Sequence, residues 1–127
     1  MDTLKFTIVT GTNEGYFHSN ENSMDLNYLG ELIQRISKDI YKKNGVYLSA
    51  VINVSKTIYK VELGCPKSGE DTINITGIAS REYARDLDLW KESVLEFAKE
   101  LKAKLKQNSI TCEFNKIELY YLKGISE

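Results

Sequence analysis

Val46-Tyr47-Leu48-Ser49-Ala50-Val51-Ile52-Asn53-Val54-Ser55-Lys56-Thr57-Ile58-Tyr59-Lys60-Val61-Glu62-Leu63 is the stretch on which the fold turns. It is rich in β-branched and aromatic residues, which suit a pleated, half-buried surface. Val46, Leu48, Ala50 and Ile52 share one face of a first strand. Tyr59, Val61 and Leu63 share one face of a return strand, with Ile58, Lys60 and Glu62 on the other. Asn53-Val54-Ser55-Lys56 lies between them with turn-forming Asn and Ser. The stretch therefore predicts a hairpin, 46–52 and 57–63.

Downstream, Gly64-Cys65-Pro66-Lys67-Ser68-Gly69-Glu70 holds the only proline of the chain and reads as a loop. Thr72 to Ala79 is a further strand, with Ile73 and Ile75 inward and Asn74 and Thr76 outward. Gly77 interrupts it and predicts a bulge. Upstream, Leu4, Phe6 and Ile8 alternate with Lys5 and Thr7 as a first strand, which ends at Thr10-Gly11. A helix follows from a Ser23 cap to about Lys43, with Leu29, Leu32, Ile33, Ile36 and Ile40 on its apolar face. A second helix runs from about Tyr83 to Gln107 on a stripe of Trp90, Val94, Phe97, Ala98, Leu101 and Leu105. The last strand spans Ile110 to Leu122, and its change of apolar phase predicts a bulge near Asn115-Lys116.

The order β-α-β-β-β-α-β predicts one α+β domain over 1–127. It is a two-layer sandwich: a mostly antiparallel five-stranded sheet with two helices on one face. The uncovered face would carry Tyr47, Val51 and Ile58, and such an apolar patch predicts a homo-oligomer.

Composition narrows the function classes. The chain has 127 residues, 17 basic and 18 acidic side chains and a formal net charge of −1. That balance offers no long-range attraction to nucleic acid or an anionic membrane. No apolar run is long enough to span a bilayer, and the first residues lack the layout of a signal peptide. The chain reads as cytoplasmic, with Cys65 and Cys112 as free thiols.

Three segments carry candidate chemistry. The first is the 64–70 loop. Its Gly64-x-x-x-x-Gly69 spacing matches a nucleotide phosphate loop, but Glu70-Asp71 and a strand stand where Lys, Ser or Thr and a helix belong. What remains is a proline-stiffened hairpin loop, whose Lys67, Ser68 and Glu70 stand at a pocket rim only if the Asn13–His18 loop lies beside them. The second is the long connection after the first strand, where Asn13, Tyr16, Phe17 and His18 combine hydrogen-bonding groups with stacking surface. One histidine among carboxylates there does not make a metal site. The third is Arg81 and Arg85 at the start of the second helix. Cations are misplaced at that end of the dipole, and two guanidinium groups beside free N–H groups would hold an anion.

In outline the helix-strand-strand-strand-helix core resembles double-stranded RNA-binding domains. Those rely on lysines where this chain has Asp86-Leu87-Asp88, so nucleic acid is not expected as a partner. In size and lysine-rich composition the chain is similar to small accessory proteins of phages and mobile elements.

The reading the residues favour is a non-enzymatic, homo-oligomeric protein that binds a small anionic molecule such as a nucleotide, without cofactor or metal. Tyr16, Phe17 and Tyr59 would stack on a ring, and Arg81, Arg85 and Lys67 would hold phosphate. Asn13 and Ser68 would fix orientation, with His18 and Glu70 at the rim. A second reading is an interaction or inhibitor module acting through the open sheet face. A third, ranked behind both, is a small enzyme using Glu62 or Glu70 with His18 or Cys65.

Overall fold

The computed structural model describes residues 2–11, 25–80 and 85–122. Strand β1 (Asp2–Gly11) is followed by helix α1 (Leu26–Asn44), strand β2 (Val51–Thr57), a short 3-10 turn (Val61–Leu63), strand β3 (Glu70–Ile78), helix α2 (Leu87–Lys104) and strand β4 (Thr111–Glu118). The four strands form one antiparallel sheet in the order β2-β3-β1-β4.

This corrects the expected five-stranded sheet and its order. Residues 46–50 are not a strand but an irregular segment beside α1, with Val46 and Leu48 buried. The Ser37 hydroxyl donates to the Leu48 carbonyl at 3.1 Å and ties that segment down. The expected turn, Asn53–Lys56, runs through the middle of β2 instead. Two of its polar side chains, Ser55 and Lys56, find partners across the sheet: Ser55 Oγ lies 2.8 Å from Thr72 Oγ1 and donates to Asn74 Oδ1 at 3.1 Å. Lys56 pairs with Asp71 at 2.9 Å. Cross-strand partners of this kind override turn propensity. The hairpin is therefore β2–β3, and residues 58–69 form its connection.

Neither expected bulge exists. The β1–β4 register runs unbroken from Asp2↔Glu118 to Val9↔Thr111. Gly77 pairs regularly with Phe6, and a Cβ there would collide with the Phe6 ring and the Ser49 carbonyl. The glycine makes room for an aromatic ring rather than bending the strand.

Both helices bury the faces their spacing predicts. Leu29, Leu32, Ile33, Ile36 and Ile40 of α1 are buried, as are Trp90, Val94, Phe97, Ala98 and Leu101 of α2 with Leu105 just beyond it. They cover the sheet face bearing Phe6, Ile8, Ile73 and Ile75. Phe6 sits 5.9 Å from Trp90 and 6.3 Å from Phe97, centroid to centroid, at tilted angles that suit aromatic pairs.

The helix starts differ from expectation. Asp25 caps α1, its carboxylate accepting from the Asn27 and Tyr28 N–H groups. Asp86 caps α2 by accepting from the Leu89 N–H. Ser23, Arg81 and Tyr83 lie outside the described residues. The end of α2 is a Schellman turn. Lys106 takes a left-handed conformation (φ 54), its N–H bonds to Ala103 O, and the Gln107 N–H bonds to Lys102 O.

The register places Thr7, Ser55, Thr72, Asn74 and Thr76 together on the uncovered sheet face. That face is polar, not the expected apolar patch. Val51 lies at its edge, Ile58 is exposed just past β2, and Tyr47 precedes β2 and packs edge-on against Tyr41.

Candidate functional site

One end of this polar face closes into a cleft of about 580 Å³. The ends of β1 and β2, the starts of β3 and β4, and the α2–β4 connection all meet there. Gly11, Thr57, Tyr59, Glu70, Thr72 and Gln107 are among its walls. Glu70 is the one charged side chain among the described residues lining it.

The strand register explains why these groups converge. Thr57 faces Glu70, and Gly11 faces Thr72, so four positions distant in sequence share one corner of the sheet. The connection after β2 then folds Tyr59 back over that corner. Its hydroxyl donates to Glu70 Oε1 at 3.2 Å. Partial desolvation raises the Tyr59 phenol above its ordinary value, with the hydrogen bond to Glu70 and the charge of Glu70 adding to it. The group stays a protonated donor.

The other Glu70 oxygen points across Gly11. A Cβ at Gly11 would lie 2.6 Å from Glu70 Oε2 and 2.6 Å from Gln107 Oε1. Glycine is thus required for two acceptor oxygens to converge above the backbone. The Gln107 orientation is fixed because its Nε2 donates to Leu105 O at 3.1 Å, which turns Oε1 toward the cleft. Thr72, only 4% exposed, joins the hydroxyls of Ser55 and Thr57 in the cleft floor, 2.8 and 3.0 Å away. Together these groups make an acceptor-rich pocket with one negative charge, an environment that favours a bound cation.

Of the residues singled out from the sequence, Tyr59 and Glu70 meet in this cleft. Lys67 and Ser68 are exposed in the adjoining connection. Arg85 precedes α2, whose 18 residues place it about 27 Å along the helix from the cleft end. Asn13, Tyr16, Phe17, His18 and Arg81 lie outside the described residues. Glu62 sits exposed in the 3-10 turn, and Cys65 is buried within the connection. Gly11 and Gln107 escaped sequence reasoning, since nothing local links two positions at opposite ends of the chain. Their only signals were a glycine ending an alternating strand and a glutamine ending an amphipathic helix. Among the described residues no three of His, Cys, Asp and Glu are placed to hold a metal ion. None of their helices is long and apolar enough to cross a membrane.

A two-layer α+β fold with a polar cleft at the sheet end gives the chain a concave site of the size that holds a small molecule. The particular class follows from comparison: the SAM lyase family profile matches residues 1–123, and the chain belongs to that family. Two solved structures share the fold. A phage SAM lyase in the apo state is 18% identical with a TM-score of 0.57, the match covering 99% of this chain and 93% of that one. A phage SAM lyase in complex with S-methyl-5'-thioadenosine is 19% identical with a TM-score of 0.53, covering 89% and 80%. No curated protein matches the chain. Family membership overturns the non-enzymatic reading and the interaction-module alternative: the chain is an enzyme. No preassembled acid, base or nucleophile shows in the sequence, so nothing local marks the chain as an enzyme.

Proposed function

We propose that the cleft binds S-adenosylmethionine and splits it to S-methyl-5'-thioadenosine. The observation that carries this reading is the convergence of Glu70 Oε2 and Gln107 Oε1 above Gly11, a receptor for a cationic centre. The reading takes S-methyl-5'-thioadenosine, the molecule in complex with the phage relative, as the product. S-methyl-5'-thioadenosine keeps the methyl and the ribose 5' carbon on sulfur, so the sulfur–Cγ bond of the methionine portion is the one cleaved. Its electron pair goes to sulfur and neutralises the sulfonium.

The Cγ fragment must gain a pair in return. Its own carboxylate can supply it by closing a five-membered lactone, with no proton gained or lost and no water consumed. The transition state then merges a positive and a negative charge. Such a step is favoured by a site drier than water that folds the substrate into reacting geometry.

This assigns roles by charge. A carboxylate held against the sulfonium would stabilise the ground state more than a transition state in which that charge disappears. Against the substrate ammonium, whose charge persists, the same carboxylate orients without penalty. Glu70 and Gln107 therefore hold the ammonium, which turns the substrate carboxylate toward Cγ. Tyr59 fixes Glu70. Thr57 and Thr72, whose hydroxyl protons are engaged within the cleft floor, form the wall beside the substrate carboxylate, the anionic part of the ligand.

The enzyme works in the cytoplasm as a phage-type accessory protein, in keeping with its two unpaired cysteines. It forms homo-oligomers through the exposed apolar side chains around β2, among them Val51, Val54 and Ile58. Incubating the purified protein with S-adenosylmethionine tests the reaction. Equal amounts of S-methyl-5'-thioadenosine and homoserine lactone are expected; an unsaturated amino acid in place of the lactone would refute the ring closure.

A further inference from the structure

Cys65 is buried to 5% exposure in a turn whose larger apolar side chains, Val61 and Leu63, are 70% and 74% exposed. The turn is therefore not held by packing of its bulky residues. What it encloses is the sulfur. Leu63 N–H bonds to Lys60 O, Gly64 N–H to Val61 O and Cys65 N–H to Lys60 O, at 3.0, 2.9 and 3.4 Å. Gly64, in a left-handed conformation (φ 101), swings the chain so that Cys65 faces inward.

There the thiol makes connections on both sides. Tyr59, two residues past the end of β2, has no ladder partner for its N–H, and Cys65 Sγ accepts that hydrogen bond at 3.5 Å. The S–H is within reach of the Pro66 carbonyl at 3.4 Å and the Thr57 carbonyl at 4.0 Å. Thr57 lines the cleft, and Tyr59 reaches into it to hold Glu70.

We infer that Cys65 is a positioning residue: its sulfur sets the backbone of Tyr59 and thereby the Tyr59–Glu70 hydrogen bond. The inference rests on the reading of this cleft as the site of the lyase reaction. Its competitor is plain filling of space by a small hydrophobe, the usual role of a buried cysteine. The two differ in one consequence. A positioning role acts only through the Tyr59 hydroxyl, whereas a space-filling role affects the whole cleft whether or not that hydroxyl is present.

The test is a double-mutant cycle. Cys65→Ala, Cys65→Val and Cys65→Ser are made with Tyr59 intact and in the Tyr59→Phe background. kcat and KM for S-methyl-5'-thioadenosine release are measured below the melting temperature of every variant. With Tyr59 intact, Ala and Val lower kcat by about tenfold. Ser, which can accept the same N–H, recovers part of it. In the Tyr59→Phe background none of the three lowers kcat further. Equal fold-losses in both backgrounds, or no loss in either, would overturn the inference while leaving the cleft assignment intact. Wild-type activity of Tyr59→Phe itself would overturn the cleft assignment and this inference together.

Discussion

The Tyr59 hydroxyl donates to Glu70 Oε1 across 3.2 Å, linking the segment beyond β2 to the first residue of β3. It orders one face of a carboxylate whose other oxygen points over Gly11. Removing the hydroxyl leaves the ring and its packing but frees the carboxylate to rotate. Tyr59→Phe should lower kcat/KM by about tenfold with an unchanged fold, measured by product release and circular dichroism.

The same pair sets a pH dependence. The Tyr59 phenol is held above its ordinary value, by desolvation first and then by Glu70. A raised pKa means that the proton is retained as pH rises, so the donor survives through neutral and mildly alkaline solution. The Tyr59 contribution should stay level there and be lost only above the ordinary tyrosine range, a limb separate from the loss of the substrate ammonium, an α-amino group that deprotonates at lower pH. Tyr59→Phe should lose that alkaline limb. A limb in both proteins at the same pH would assign it to another group.

Gly11→Ala separates the site from the scaffold. The nearest atoms to the added Cβ are the ends of two flexible side chains, Glu70 and Gln107. They can rotate away, so the melting temperature should change little. The acceptor pair above residue 11 would be dispersed, and activity should fall by about a hundredfold. Thermal unfolding and turnover on the same sample check both halves.

Gly77→Ala should do the reverse. Its Cβ would strike the Phe6 ring and the Ser49 backbone carbonyl, at the heart of the aromatic cluster. Overpacking of this kind costs about 1–3 kcal/mol. Chemical denaturation should show a lower midpoint, while kcat of the remaining folded enzyme stays near that of the parent.

These contrasts also mark what the sequence could convey. Both helices were legible because Leu29 to Ile40 and Trp90 to Leu105 repeat at three and four residues, a period that only a helix buries on one side. The strand count was not. Asn53 and Ser55 look like turn residues, and only the facing β3, with Thr72 and Asn74, supplies the partners that keep them extended. The site was half legible. Tyr59 and Glu70 stood out, as a stacking ring and a rim acid, because they flank an evident loop. Gly11 and Gln107 became functional candidates only through the sheet register and the left-handed turn at Lys106, which aims Gln107 at the cleft. The chemistry was least legible. In the proposed reaction the substrate carries its own nucleophile and leaving group, which asks the protein for orientation rather than for a motif.

The proposed anchor of the substrate in this cleft is Glu70. Turnover of S-adenosylmethionine by Glu70→Gln and Glu70→Ala, each verified as folded, tests it most directly. Glu70→Gln should lose kcat/KM on the order of a hundredfold, and Glu70→Ala at least as much. S-methyl-5'-thioadenosine release at the wild-type rate by folded Glu70→Ala would contradict it.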